Sequence, residues 1–173
     1  MEGGKFRQEW SALILDLSVS SDTIDHNILI TRLSSWFGLH GSVLEWFKSY
    51  LSDRCFRVKC ENGFFPSRTC YSGVPQGSVL GPLLFILYTT PLSTLISSLS
   101  LNHHLYADDT QLSFSFYPFD FVSSITHLQN ALQQITSWMT VDLLTLNSSK
   151  TEFLLLDSNN NWLLVTWHSS LCS

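Results

Sequence analysis

The stretch HHLYADDTQLSFSF, residues 103–116, constrains the fold more than any other part of the chain. Its second half alternates, with Leu112, Phe114 and Phe116 set against Gln111, Ser113 and Ser115. That is the period-two pattern of a half-buried strand. HHLYA forms a second short run before it, so Asp108 and Asp109 are expected at the tip of a β-hairpin, and a hairpin commits its strands to antiparallel pairing. Neighbouring like charges repel unless something positive lies between them. Two readings account for the pair. Asp109-Thr110 fills a turn, both being turn residues, or the carboxylates hold a divalent cation.

Other segments fit an antiparallel sheet backed by helices. SALILDL (11–17) is a short, branched apolar run containing Asp16 and reads as a buried strand. SSDTIDH offers capping groups before a helix that Gly38 ends, with Asp22, Asp25 and His26 read as caps. SVLEWFKSYLSDR (42–54) is a second amphipathic helix, and Asn62-Gly63 signals a hairpin between RCFRVKC and FFPSRTC. GVPQGSVLGP is a loop opening into an apolar helix from about residue 80 to 97. Residues 121–140 show helical spacing at Val122, Ile125, Leu128, Leu132, Ile135 and Met139. LLTLN and TEFLLL are short strands around Ser148-Ser149-Lys150, and residues 157–173 follow no pattern, as a disordered or loosely attached tail would. No βαβ rhythm appears, so the expected class is α+β.

Composition narrows the function. Hydrophobic residues make up 45% of the chain and charged residues only 13%, which excludes disorder. A net charge of −5 argues against a free-standing nucleic-acid binder. Only Lys48 to Arg68 is locally basic. The four cysteines and six histidines form no zinc pattern. A reduced, intracellular protein without a membrane span is expected.

Were the strands bearing Asp16 and Asp108-Asp109 neighbours in one sheet, three carboxylates would converge on one edge. Hard oxygen donors suit Mg²⁺ or Mn²⁺, and two such ions would serve an in-line displacement. Aspartic-protease chemistry is excluded, because Asp22-Thr23 and Asp109-Thr110 are followed by Ile and Gln rather than Gly. GSVLG (77–81) is no nucleophile elbow, its third residue being Val79.

The ordered set DLSVSSDTIDH, WFKSYLSDR, GVPQGSVLGPLLFILY, LYADDTQL and LLTLNSSKTEFLL resembles the reverse transcriptase of non-LTR (LINE-type) retrotransposons, from about Ser11 to Leu156. The resemblance implies an RRM-like polymerase palm over residues 11–156, after a short extension (1–10) and before an unrelated tail (157–173). It implies RNA-directed DNA polymerisation, with Asp16, Asp108 and Asp109 as catalytic carboxylates and ligands of two Mg²⁺ or Mn²⁺ ions. It places Gly73, Pro75, Gln76, Gly77 and Ser78 at the template and incoming nucleotide, although Ser78 also reads as a plain helix cap. Lys150 matches a lysine that protonates departing pyrophosphate, although a lysine in a turn also reads as merely solvated. Implied partners are an RNA template, a DNA primer and deoxynucleoside triphosphates, at a nuclear or cytoplasmic site.

Two departures qualify this. The family carries an aromatic steric gate five residues after the first aspartate; here that nucleotide-site position is Ser21. Fingers and thumb are also expected to be largely missing, as in a truncated chain that is weakly active or inactive alone, or one completed by a partner chain. A non-catalytic retroelement remnant or interaction protein therefore stands as the alternative.

Overall fold

The computed structural model describes residues 9–18, 22–52, 54–60, 63–74, 77–106, 109–147, 150–156 and 162–166. The first half contains β1 (Glu9–Ser18), α1 (His26–Ser35), α2 (Gly41–Leu51), β2 (Cys55–Phe56), β3 (Lys59–Cys60), β4 (Gly63–Phe64) and β5 (Arg68–Thr69). There follow α3 (Gly81–Ser98), β6 (Asn102–Tyr106), β7 (Asp109–Phe116), a 3₁₀ turn (Pro118–Asp120), α4 (Phe121–Val141), β8 (Thr145–Leu146), β9 (Glu152–Leu156) and β10 (Trp162–Thr166). The expected mixture of helices and antiparallel strands is present. No helix among the described residues is long and apolar enough to cross a membrane.

The chain divides into two compact units, residues 1–18 with 90–173, and residues 19–89. In the first, β1 is the centre of a sheet ordered β10-β9-β1-β7-β6, with β8 pairing the end of β1, and every pairing is antiparallel. Leu13 stands opposite both Leu112 and Phe153, and all three are buried. Directly opposed residues share a face, so this row begins the core, and Leu15 and Thr110 continue it. Leu128, Ala131, Leu132, Ile135 and Met139 of α4 recur at helical spacing and are also buried. Val122, expected on that face, is 77% exposed and Ile125 is half-buried, so the buried row starts at Leu128, nearly two turns later than its periodicity suggested.

Within residues 157–173, expected to be disordered or loosely attached, the described residues Trp162–Thr166 form β10. It pairs with β9 from Trp162↔Leu156 to Thr166↔Glu152. A strand of five residues beside an existing edge needs only backbone pairing, which leaves a weak sequence trace.

In residues 19–89, Asp25 caps α1 as read: its Oδ1 accepts from the backbone N–H groups of Asn27 and Ile28, both at 2.9 Å. Ile24, Leu29, Leu33, Leu51, Val74, Leu84, Phe85 and Tyr88 are buried. Arg32 is buried too, donating to the Tyr88 carbonyl with its guanidinium carbon 4.6 Å from that ring's centroid. The hairpin expected about Glu61-Asn62-Gly63 is present: Cys60 pairs with Gly63 and Lys59 with Phe64, while Glu61 and Asn62 lie outside the described residues.

Candidate functional site

β7 lies between β1 and β6, and its first residue is Asp109. That residue pairs with Asp16 on one side and Tyr106 on the other. It was expected in the hairpin tip; instead it is paired as the last rung of both ladders. Asp108 lies outside the described residues. The expectation that Asp16 and the aspartate pair meet in one sheet holds for Asp16 and Asp109. Residues so paired stand about 4.5–5.5 Å apart at Cα. Asp109 is exposed, while Thr110 beside it is 1% exposed, as strand alternation requires.

The other edge of β1 is interrupted at the same place. β9 pairs as far as Glu152↔Ile14, and β8 resumes at Leu146↔Leu17. Of the residues between β8 and β9, the described Asn147, Lys150 and Thr151 stand outside the β1 ladder, where Leu15 and Asp16 lie between the two pairings. Lys150 is exposed, its backbone N–H donating to the Asn147 carbonyl at 3.1 Å. Thr151 is buried and its Oγ1 donates to the same carbonyl at 3.0 Å. Topology thus flanks Asp16 with Asp109 on one side and the Lys150 segment on the other.

The donor chemistry of Asp16 and Asp109 fits hard divalent cations. Among the described residues no cluster of three or more His, Cys, Asp or Glu assembles.

Of the expected nucleotide-loop residues, Ser21, Pro75 and Gln76 lie outside the described residues. Gly73 is held from several directions. Its N–H donates to the Ile24 carbonyl at 2.7 Å, its carbonyl is 2.8 Å from His26 Nε2, and Ser72 bridges Asp25. Its φ is +81°, and a β-carbon there would stand 3.0 Å from both Cα and the carbonyl oxygen of Asp22. Glycine permits this approach, but the backbone it approaches is the chain's own. His26 and Asp22, read as caps, are thus tied to this loop, and only a three-dimensional contact shows it. A cavity of about 610 Å³ borders Gly73, with Asp22, Arg54, Phe56 and Val74 in its wall.

Gly77 has φ +79° with open space around it. Ser78 caps the entry to α3: its Oγ accepts from the Leu80 N–H at 3.3 Å and its carbonyl from Gly81 at 3.1 Å. Ser78 Oγ also hydrogen-bonds to the Tyr50 hydroxyl. Tyr50 stacks on Trp46 at 5.5 Å and lies under the Arg54 guanidinium at 4.7 Å.

The family described as reverse transcriptase (RNA-dependent DNA polymerase) matches residues 4–168. Over 154 residues the chain is 32% identical to the probable RNA-directed DNA polymerase from transposon BS of Drosophila melanogaster, covering 82% of this chain and 16% of the relative. It is 37% identical over 84 residues to that from transposon X-element of the same organism, covering 46% and 8%. The chain thus spans a small part of both relatives. Among solved structures it resembles apo telomerase from Candida tropicalis truncated from its C-terminal domain (TM-score 0.64, 17% identity, 96% of this chain and 33% of that one). It also resembles telomerase from the same organism in complex with a TWJ fragment of telomeric RNA (TM-score 0.67, 15% identity, 92% and 28%). These last likenesses concern the fold alone. By its family match over nearly its whole length, as its ordered motifs implied, the chain belongs to the reverse transcriptases.

Proposed function

We propose that this chain is the palm of a non-LTR-type RNA-directed DNA polymerase, an RRM-like sheet over residues 11–156 that transfers a deoxynucleotide to a primer 3′ hydroxyl on an RNA template. The observation that carries the reading is the pairing of Asp16 with Asp109 in adjacent central strands. Asp16, Asp108 and Asp109 would hold two Mg²⁺ or Mn²⁺ ions. Such ions, when bound, activate the attacking hydroxyl and stabilise the leaving oxygen.

The protein's own part is positioning. The β1–β7 ladder pairs the backbones of Asp16 and Asp109, so these two acceptors would stand on strands that are already fixed before a cation binds. Gly73 to Ser78 would contact template and incoming nucleotide, with Gly73 fixed by Ile24 and His26 and Ser78 by Tyr50. Lys150 would supply a proton or positive charge to the departing pyrophosphate, which the interruption of the β1 ladder beside Asp16 supports.

Ser21 favours a second reading, a remnant that has lost catalysis, because a small residue leaves the sugar ungated. Primer extension on an RNA template with Mg²⁺ or Mn²⁺, comparing the chain with Asp108→Asn, separates the two. Extension lost in the variant supports the polymerase. No extension by a folded wild-type chain supports the remnant, or a palm that acts only with a partner chain.

A further inference from the structure

Between α2 and the Gly73 loop lies a two-stranded ribbon in which every described residue from Cys55 to Cys60 and from Gly63 to Thr69 is exposed. An isolated ribbon is marginal in water, and this one presents Phe56, Phe64 and Phe65 at 52%, 66% and 60% exposure. Its base pairs Phe56 with Arg68, its outer end pairs Lys59 with Phe64, and the Phe65 N–H donates to the Val58 carbonyl at 2.9 Å. The registers differ by one residue, so the second strand carries a bulge at Pro66-Ser67, where a missing N–H is tolerated. Cys55–Phe56 and Lys59–Cys60 are strand with no insertion opposite the bulge, so strand alternation carried through Arg57-Val58 would set Arg57 with Lys59 on one side and Phe56 with Val58 on the other. Phe64, opposite Lys59, joins the cationic side.

We infer that this side binds a single-stranded nucleic acid, phosphates on Arg57 and Lys59 and a base stacked on Phe64. Two features support that occupant. Residues 48–68 carry five basic side chains against two acidic ones, while the whole chain is at −5, so the ribbon is complementary to a polyanion where the rest is not. Lysine is depleted from the cores of protein interfaces, whereas cations alternating with rings suit a nucleic-acid strand. Among the described residues no ion pair, hydrogen bond or ring contact engages the side chains of Arg57, Lys59 or Phe64. The ligand class rests on the polymerase reading; the placement does not.

The test is fluorescence anisotropy of a labelled single-stranded oligouridylate with the full chain, in EDTA without nucleotides, over a salt series. Arg57→Ala with Lys59→Ala should lower the slope of log affinity against log salt by about 1.4. Phe64→Ala should weaken binding roughly tenfold, and Val58→Ser on the opposite side should leave it unchanged. An unaltered slope in the double variant, or no binding by folded wild type at low salt, overturns the inference. So does a double variant that changes only self-association in sedimentation, which would make the ribbon a contact between copies. Photocrosslinking a thiouridine-substituted strand to the wild-type chain needs no variant to fold. Crosslinks within residues 57–64 are expected, and crosslinks only elsewhere overturn the placement. Failed extension by the folded wild-type chain with intact binding sinks the polymerase reading alone, and normal extension with an unaltered slope sinks the ribbon alone.

Discussion

Gly73 and Asp22 approach so closely that a β-carbon on Gly73 would stand 3.0 Å from both the Cα and the carbonyl oxygen of Asp22. The segment after β1 and the loop before α3 are therefore closed together by backbone, with the Gly73 N–H bonded to the Ile24 carbonyl at 2.7 Å. Gly73→Ala meets both the close contact and the positive φ, and should cost about 3 kcal/mol. Gly77→Ala meets only the positive φ, with open space around it, and should cost about 1 kcal/mol. Chemical denaturation of the two variants should resolve the difference; equal losses would mean that the Asp22 contact relaxes freely.

Asp109→Asn removes one of two like charges paired across β1 and β7. Stability without metal should hold or rise by about 0.5 kcal/mol, since like charges directly opposite destabilise a sheet. Added Mn²⁺ should raise the melting temperature of the wild-type chain and do so far less for Asp109→Asn or Asp16→Asn, because a ligand stabilises only the state that binds it. Identical Mn²⁺ shifts in all three proteins would remove these aspartates from the metal site.

Ser21 stands where the resembled family carries an aromatic gate. Any extension by this chain should discriminate poorly against ribonucleotides, and Ser21→Phe should restore preference for deoxynucleotides by roughly tenfold or more, a steric clash worth at least about 1.4 kcal/mol. Side-by-side incorporation of the two nucleotide classes gives the ratio. A strong deoxy preference in the wild type would refute the assignment.

Asp25 accepts two backbone hydrogen bonds at the start of α1. Asp25→Ala should lower stability by about 1 kcal/mol, and Asp25→Asn should recover most of it, because an amide oxygen caps nearly as well. Urea titration followed by circular dichroism reads the effect. Loss of stability in Asn as large as in Ala would point to a role for the charge itself.

The hairpin of β6 and β7 was legible because alternation from Leu112 to Phe116 is long enough to exclude a helix, and the acidic pair was legible as a likeness of motif. The place of Asp109 within the ladder was not, since a turn's length is set by register and register by partners distant in sequence. β10 escaped notice because its neighbour, not its own composition, makes it a strand. The roles of His26 and Asp22 at Gly73 depend on residues 47 and 51 positions apart, which no local pattern encodes.

The row Phe153, Leu13 and Leu112 is buried from one side of β1 to the other. Sliding β7 by one residue would turn Leu112 out to water and bring Asp108 or Thr110, according to direction, across from Asp16, so the greasy row works as the gauge that aligns the charges. Uncharged residues three and more positions away in each strand thus decide where the carboxylates stand. An inherited change from Leu13 or Leu112 to a smaller residue would loosen that alignment while leaving every acidic letter of the motif intact.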